Sequence, residues 1–137
     1  MSCNTETIIH FDGSCDNNGS SDAIGGWGFW TDGAGRRYEE YGAAKRGEQG
    51  FGIITNNVTE HYAAYMALQW VERMGFCDMT IRIVGDSNLV VNQMNGKWRA
   101  KSGPYKSFFE KSFILKKRLR DRGINIVFEW VPREQNC

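Results

Sequence analysis

The feature that most constrains the fold is a run of apolar and β-branched residues at positions 79–84, which ends directly at Gly85-Asp86. A nearly continuous run of this kind is typical of a strand that is buried on both faces. Such a strand requires helices packed against the sheet. The run therefore predicts an α/β domain with a carboxylate, Asp86, immediately after a buried strand.

The rest of the chain alternates between strand and loop patterns around this run. Short β-rich segments predict four further strands, at residues 7–11, 25–31, 36–43 and 124–131. A hairpin turn is predicted at residues 32–35, and the stretch 13–21, which is rich in glycine and asparagine, is predicted to be a loop.

Helical periodicity predicts three helices. The first covers residues 58–74, with Asn57 as its cap and Glu60 completing a capping box, and a stripe of alanines would let it sit close to a sheet. The second is a short helix capped by Ser87, and the third begins at Pro104. The order β-β-β-α-β-α-α-β predicts a five-stranded mixed sheet flanked by helices, in which the first three strands are antiparallel and the last two are parallel.

Composition narrows the class of protein. The 137 residues are expected to form a single domain over 1–137, and an apolar fraction of 41% argues against disorder. No apolar run approaches the roughly 18 residues that span a bilayer. Residues 1–6 lack the apolar segment of a secretion signal, so the cytoplasm is the expected compartment. The four cysteines lack zinc-ligand spacing and are expected to be free thiols.

Charge is distributed unevenly along the chain, although the net charge is only +1. Residues 97–122 hold ten of the 17 basic residues and two of the 16 acidic ones, which gives this segment +8 and the remainder −7. Such asymmetry suggests one face for a polyanion and a separate acidic site. The alternative is an ordinary solvated helix face, and the charge pattern alone does not decide between them.

Three carboxylates are placed where they could meet. Asp12 follows the first strand, Asp86 follows the fourth, and Glu60 lies in the first turn of the first helix. If the two strands are parallel neighbours, both aspartates emerge at the edge where α/β sheets usually place ligands. Converging carboxylates repel one another unless a cation joins them, and oxygen ligands favour Mg²⁺ or Mn²⁺. Taken singly, each acid could instead be a turn or cap residue.

Four segments that include these acids resemble successive blocks of type 1 ribonuclease H. They are FDGSCDNNG at 11–19, TNNVTEHYAAYMAL at 55–68, GDSNLVVNQMNGKW at 85–98 and FEWVPREQN at 128–136. The blocks occur in the family's order with compatible spacing and together span nearly the whole chain. The resemblance implies a ribonuclease H-like fold and a hydrolase that cuts the RNA strand of RNA–DNA hybrids endonucleolytically.

The resemblance also implies a two-metal mechanism. Asp12, Glu60 and Asp86 match the first three of the family's four carboxylates, which hold two Mg²⁺ or Mn²⁺ ions at the scissile phosphate. One ion activates a water and the other stabilises the leaving 3′-oxygen, and the product carries a 5′-phosphate. Asp12 would bridge both ions, Glu60 would hold the ion on the nucleophile side, and Asp86 would help to orient the attack.

A set of substrate contacts follows from the same resemblance. Cys15, Asn18, Asn56 and Asn88 match positions that touch the hybrid's minor groove, where the 2′-hydroxyl distinguishes RNA from DNA. Thr55 joins Asn18 in a pocket for a phosphate of the DNA strand. The simpler alternative is that the asparagines are ordinary turn and cap residues.

The basic stretch also gains a role from the resemblance. Its first residues follow a helix that starts at the edge with the acids, so they could bind the hybrid backbone without sequence preference. These residues are Lys97, Trp98, Arg99 and Lys101. Trp98 has the alternative role of covering the core, and the later basic residues are expected to be the solvated face of the third helix.

The sequence departs from the family pattern near Cys137. The family's fourth aspartate opens a C-terminal helix a few residues after the VPREQN block, and this sequence reaches Cys137 first. We therefore expect weaker binding of the ion at the leaving group and a rate lower by about 10²–10³. Glu134 and Asn136 are candidates for a substitute ligand. Arg133 lies where the family has a histidine loop and is a candidate for assisting product release.

Three functions remain open from the sequence. The first is the hybrid endonuclease, the second a catalytically weak hybrid-binding module, and the third another nuclease on the same scaffold, such as a recombinase core or an exonuclease. Asn56 and Asn88, placed beside the acids, favour recognition of RNA–DNA hybrids over the substrates of these other nucleases. A monomer without an obligate protein partner or a membrane is expected.

Overall fold

The structure is a computed structural model that describes residues 7–19, 21–31, 37–76 and 78–136. Its strands are β1 (Thr7–Asp16), β2 (Ile24–Thr31), β3 (Tyr38–Lys45), β4 (Met79–Gly85) and β5 (Ile124–Trp130). Its helices are α1 (Asn56–Met74), α2 (Asn88–Met94) and α3 (Lys106–Asp121), and a 3-10 turn follows at Arg133–Gln135. The predicted order of elements is confirmed. None of the helices in this described part is long and apolar enough to span a membrane.

The five strands form one mixed sheet in the order β3-β2-β1-β4-β5. The pairs β1–β2 and β2–β3 are antiparallel, whereas β4 runs parallel to both β1 and β5. The predicted five-stranded mixed sheet is therefore confirmed. Because β1 and β4 are parallel neighbours, the residues that follow their pairing lie at the same edge of the sheet.

β1 is longer than the sequence predicts. The predicted strand ends at residue 11 and a loop begins at residue 13, but β1 continues to Asp16 and pairs there with β2, where Asp16 faces Ile24. Pairing with β2 satisfies the backbone groups of these residues, which outweighs the loop preference of their composition. The parallel pairing with β4 stops earlier, at His10. Asp12 thus lies inside β1, not at its end.

The prediction that the run 79–84 is buried on both faces is wrong. Met79, Ile81 and Ile83 are buried, whereas Thr80 and Arg82 are half-buried. Arg82 forms an ion pair with a glutamate of the neighbouring strand β5. Thr80 and Arg82 are two positions apart and therefore lie on the same face of β4, which is more exposed to solvent at these positions than the opposite face.

α1 begins two residues earlier than predicted. Its N-cap is Thr55, whose Oγ1 accepts a hydrogen bond from the Val58 backbone N–H at 3.1 Å, so the predicted cap at Asn57 is wrong. A threonine hydroxyl is a good N-cap acceptor, and the next two residues are free to take helical geometry. The alanine stripe is fully buried as predicted, at Ala63, Ala64 and Ala67.

The later helices follow the predicted order with one shifted boundary. Ser87 caps α2 as predicted, accepting a hydrogen bond from the Val90 backbone N–H at 3.2 Å. α3 begins at Lys106, two residues after the predicted start at Pro104. The predicted hairpin turn at 32–35 lies outside the described residues. Buried residues of β1, β4 and β5 form one core with those of α1 and α3.

Candidate active site

Two neighbouring parallel strands and the first helix bring three carboxylates together. The parallel pairing of β1 with β4 ends at His10 and Val84. Asp12 lies two residues beyond this pairing and Asp86 directly follows β4, while Glu60 is in the second turn of α1. One oxygen from each of the three side chains lies within 4.8 Å of the other two. We call these three residues the acidic cluster.

A glycine on β1 lets the helix approach closely enough to form this cluster. A Cβ atom at Gly13 would lie 2.6 Å from the Glu60 backbone nitrogen and 2.6 Å from the Thr59 side-chain oxygen. Both distances are far below van der Waals contact, so α1 can rest against β1 here because the residue has no side chain. The close approach carries Glu60 to the strand that bears Asp12.

Burial and mutual repulsion raise the pKa values of two members of the cluster. Desolvation, followed by the charge of Asp86, raises the pKa of Glu60 to about 7, although a hydrogen bond from Ser87 opposes the rise. The same two causes, in the same order, raise the pKa of Asp12. Arg133 offsets part of the charge, since its Nε lies 3.2 Å from Asp86 Oδ2. The site therefore carries more negative charge than its protein neighbours neutralise.

The acidic cluster fits a hard divalent cation. Oδ1 of Asp12 is buried and has no hydrogen-bond partner, which leaves an oxygen lone pair facing no protein donor. A buried acceptor without a partner carries a desolvation cost that a cation would remove. Carboxylate oxygens are the ligands that Mg²⁺ and Mn²⁺ prefer.

The raised pKa of Glu60 gives a testable dependence of stability on pH. The folded-state pKa of about 7 exceeds the ordinary glutamate pKa of 4.5. The folded state therefore holds more protons between these pH values, and stability falls as pH rises through them. In the metal-free protein, Glu60→Gln should remove this loss, which is about 3 kcal/mol. Urea unfolding in EDTA should show little difference from the parent at pH 4 and a more stable variant at pH 8. The exposed Glu110→Gln is the matched control, and an equal gain at both pH values would contradict the expectation.

A family model for RNase H matches residues 4–133 of the chain. The chain belongs to the RNase H family. Among its relatives, the uncharacterized protein YpeP of Bacillus subtilis is 27% identical over 131 residues, covering 96% of this chain and 54% of YpeP. The bifunctional protein Rv2228c of Mycobacterium tuberculosis is 32% identical over 89 residues, covering 65% of this chain and 23% of that protein. This RNase H chain thus spans about half the length of the first relative and about a quarter of the second.

Solved RNase H structures share the fold. LC11-RNase H1, crystallised in complex with an RNA/DNA hybrid, superposes with a TM-score of 0.76 at 30% identity, covering 96% of this chain and 88% of that one. The N-terminal RNase H domain of Rv2228c also gives a TM-score of 0.76, at 26% identity, with coverage of 96% and 91%. The predicted ribonuclease H-like fold is confirmed.

Four of the predicted substrate contacts gather at the start of α1 in this RNase H domain. Oδ1 of Asn18 accepts a hydrogen bond from the Asn56 backbone N–H at 2.7 Å, beside the cap residue Thr55. Cys15 Sγ donates to the carbonyl oxygen of Ile54 at 3.6 Å. These bonds join the end of β1 and the loop after it to the start of the helix that carries Glu60. The roles of these residues in binding substrate stay predictions.

The remaining predicted substrate contacts lie around α2. Asn88 is exposed as the first residue of α2, two positions after Asp86. The predicted backbone-binding residues all lie between α2 and α3, where each is exposed: Lys97, Trp98, Arg99 and Lys101. Trp98 is 48% exposed, which leaves about half of its surface open for contact with a ligand.

The last described turn carries the three remaining candidates. Glu134 is exposed and is not a member of the acidic cluster within the described residues. Asn136 points back to β1, where its Nδ2 donates to the Phe11 carbonyl oxygen at 2.9 Å and its Oδ1 lies 3.0 Å from His10 Nδ1. Both ends of this amide therefore bind protein groups, and the turn is held beside β1, the strand that carries Asp12. Arg133 contacts a member of the cluster, since its Nε lies 3.2 Å from Asp86 Oδ2.

His61, to which the sequence patterns assign no role, lies in a buried polar network. Its Nε2 lies 2.8 Å from Oε1 of Gln93, and its ring stacks on Tyr105 with centroids 4.9 Å apart. Burial lowers the pKa of His61 to about 4, so the ring is neutral near pH 7. A signal was present, because His61 and Gln93 each follow a buried valine by three positions and so share its helix face.

Proposed function

We propose that this chain hydrolyses the RNA strand of RNA–DNA hybrids endonucleolytically. The observation that carries the proposal is the acidic cluster, in which Asp12, Glu60 and Asp86 each present an oxygen within 4.8 Å of the others. Membership of the RNase H family and the likeness to an RNase H1 crystallised with an RNA/DNA hybrid support it. The chemistry resides at the sheet edge where the parallel strands end.

The acidic cluster would hold two divalent ions, Mg²⁺ or Mn²⁺. Bound there, the ions would supply an activated water and would neutralise charge on the phosphate and on the leaving 3′-oxygen, which gives a 5′-phosphate product. The chain's own part is to fix the three carboxylates. Gly13 allows α1 to reach β1, and Arg133 limits the repulsion at Asp86.

Recognition of the hybrid would come from two groups of residues. The amides of Asn18, Asn56 and Asn88 can donate to and accept from the 2′-hydroxyl and the base edges of the minor groove. The exposed residues between α2 and α3 would bind the phosphate backbone, with an affinity that falls steeply as salt rises. Because backbone contacts carry no sequence information, cleavage should have little sequence preference.

A cleavage assay tests the proposal. An RNA–DNA hybrid with a labelled RNA strand is incubated with Mg²⁺, Mn²⁺ or EDTA, beside duplex DNA and duplex RNA of the same sequence. We expect cuts in the hybrid's RNA strand only, metal dependence, and 5′-phosphate ends on the products. Equal cleavage of duplex DNA would overturn the hybrid specificity. If the chain binds the hybrid but cleaves it with neither Mg²⁺ nor Mn²⁺, the proposed function is wrong, and the catalytically weak hybrid-binding module takes its place.

A further inference from the structure

A buried network of three polar side chains connects α1 to the segment that follows α2. His61 and Gln93 have relative exposures of 0% and 1%, and Tyr105 is half-buried just before α3. Gln93 Oε1 bonds to His61 Nε2 at 2.8 Å, and Gln93 Nε2 donates to the Tyr105 hydroxyl at 3.0 Å. His61 directly follows Glu60 of the acidic cluster, so the network begins beside the proposed catalytic centre.

The hydrogen-bond partners determine which groups of the network donate and which accept. Gln93 Nε2 donates to both the Tyr105 hydroxyl and the Arg99 carbonyl oxygen, at 3.0 and 3.3 Å. Its Oε1 must then accept, so His61 carries its proton on Nε2. The Tyr105 hydroxyl also accepts the backbone N–H of Lys101 at 3.1 Å. The side chains of Gln93 and Tyr105 thus hold the backbone at two positions of the segment 97–101.

The same segment is held at its other end by the last turn of α2. The carbonyl oxygen of Asn92 accepts the backbone N–H groups of Lys97 and Trp98, at 2.8 and 3.1 Å. Asn95 Nδ2 donates to the Phe128 carbonyl oxygen at 2.9 Å. Residues 97–101 are therefore tied down through their backbone at four points, while the side chains of the three basic residues among them point into solvent.

We propose that Gln93 and Tyr105 are positioning residues that pre-order the basic segment 97–101 for binding the phosphate backbone of the hybrid, an inference that rests on the proposed function. A loop ordered before binding avoids the entropy cost of ordering long side chains and backbone on association. Because His61 of the network belongs to α1 and directly follows Glu60, the network fixes the basic segment relative to the acidic cluster.

If Gln93 and Tyr105 only filled the core, their polar groups would not be needed. Packing needs only the rings of His61 and Tyr105, which stack on each other at an interplanar angle of 9°. It does not need the Tyr105 hydroxyl or the Gln93 amide, which bond to backbone groups of the basic segment. Tyr105→Phe keeps the ring and removes the hydroxyl, so it separates the two roles.

The experiment compares Tyr105→Phe with the parent chain. The matched control is Tyr65→Phe on α1, which removes a hydroxyl that accepts from Gln69 Nε2 at 2.8 Å, away from the basic segment. We expect the Kd for a fluorescent hybrid in EDTA to rise about tenfold in Tyr105→Phe. The slope of log Kd against log salt should fall by about one, corresponding to one phosphate contact. KM for cleavage should rise while kcat changes less than about twofold, and Tyr65→Phe should match the parent.

Hydrogen exchange and a second variant complete the test. The Lys101 amide should exchange faster in Tyr105→Phe, since its acceptor is gone. Gln93→Met, which keeps side-chain length, should repeat the rise in Kd. Unchanged Kd and salt slope in a folded Tyr105→Phe would overturn the inference. A fall in kcat as large as the rise in KM would also overturn it. If the parent chain itself neither binds nor cleaves hybrids, the proposed function fails and the inference with it.

Discussion

Replacing Asp12 with asparagine should abolish cleavage of the hybrid while leaving the protein folded. The substitution keeps the shape of the side chain but removes one of the three charges that would hold the metal ions. Losing an electrostatic stabiliser of the transition state commonly costs about 10²–10³ in rate. Because Asp12 would hold both ions in the proposed mechanism, its loss should lie at or beyond the upper end of this range. Single-turnover cleavage with Mg²⁺ and with Mn²⁺ measures the loss.

The same substitution should raise the stability of the metal-free protein. Burial and the charge of Asp86 raise the pKa of Asp12, because its ionised form is costly in this site. An uncharged amide avoids that cost and could donate a hydrogen bond to a neighbouring carboxylate. Removing a functional charge of this kind commonly gains about 0.5–2 kcal/mol. Urea unfolding in EDTA at pH 8 should show the gain.

Asp16→Asn is the matched control for Asp12→Asn. Asp16 lies on the same strand, is exposed, and is not a member of the acidic cluster. This variant should cleave at the parent rate and unfold at the parent urea concentration. Full activity in Asp12→Asn would remove the acidic cluster from the mechanism. An equal loss in both variants would point to general damage to β1 instead.

Gly13→Ala should cost both stability and activity, although it adds only one methyl group. The new Cβ would lie 2.6 Å from the Glu60 backbone nitrogen and from the Thr59 carbonyl carbon, which are main-chain atoms that cannot swing aside. The helix must therefore move away from the strand. Overpacking of this kind typically costs about 1–3 kcal/mol. A displacement of about 1 Å at a catalytic group can cost about 10²-fold in rate. Thermal unfolding and cleavage kinetics measure the two effects.

Gly26→Ala provides the comparison for Gly13→Ala. Gly26 pairs with Ser14 on the neighbouring strand, and its new Cβ would meet the Ser14 hydroxyl oxygen at 3.4 Å, an ordinary contact. This variant should stay within about 0.5 kcal/mol of the parent and keep its rate. If Gly13→Ala behaved like Gly26→Ala, the close approach of α1 to β1 would not be what places Glu60.

Much of the fold was predictable from local patterns. The order of strands and helices follows from short-range periodicity, and the run at 79–84 located the central strand even though its second face is wetter than predicted. The mixed sheet followed from connection rules, which also placed Asp12 and Asp86 at one edge. The meeting of three acids was therefore a consequence of topology that the sequence already contained.

The details that adjust the site were not predictable in the same way. β1 runs on to Asp16 because β2 supplies hydrogen-bond partners, and residues 13–16 by themselves have the composition of a loop. Asn136 binds the backbone of Phe11 across 125 positions of sequence. No local pattern contains such a partner, because its position is set by the packing of the whole chain.

The sequence by itself determined the succession of elements and which residue types arrive at the sheet edge, because side-chain periodicity and turn chemistry act over a few neighbouring residues. Only the tertiary structure decided how closely they approach. The distance between α1 and β1 depends on Gly13 facing the helix backbone. The pKa of Glu60 depends on burial and on two aspartates, one on β1 and one just after β4. The anchoring of segment 97–101 depends on Gln93 of α2 and on Tyr105 at the start of α3. The distances between site residues, their burial and the electric field that acts on them all depend on which groups pack around them. That packing is determined by the chain as a whole.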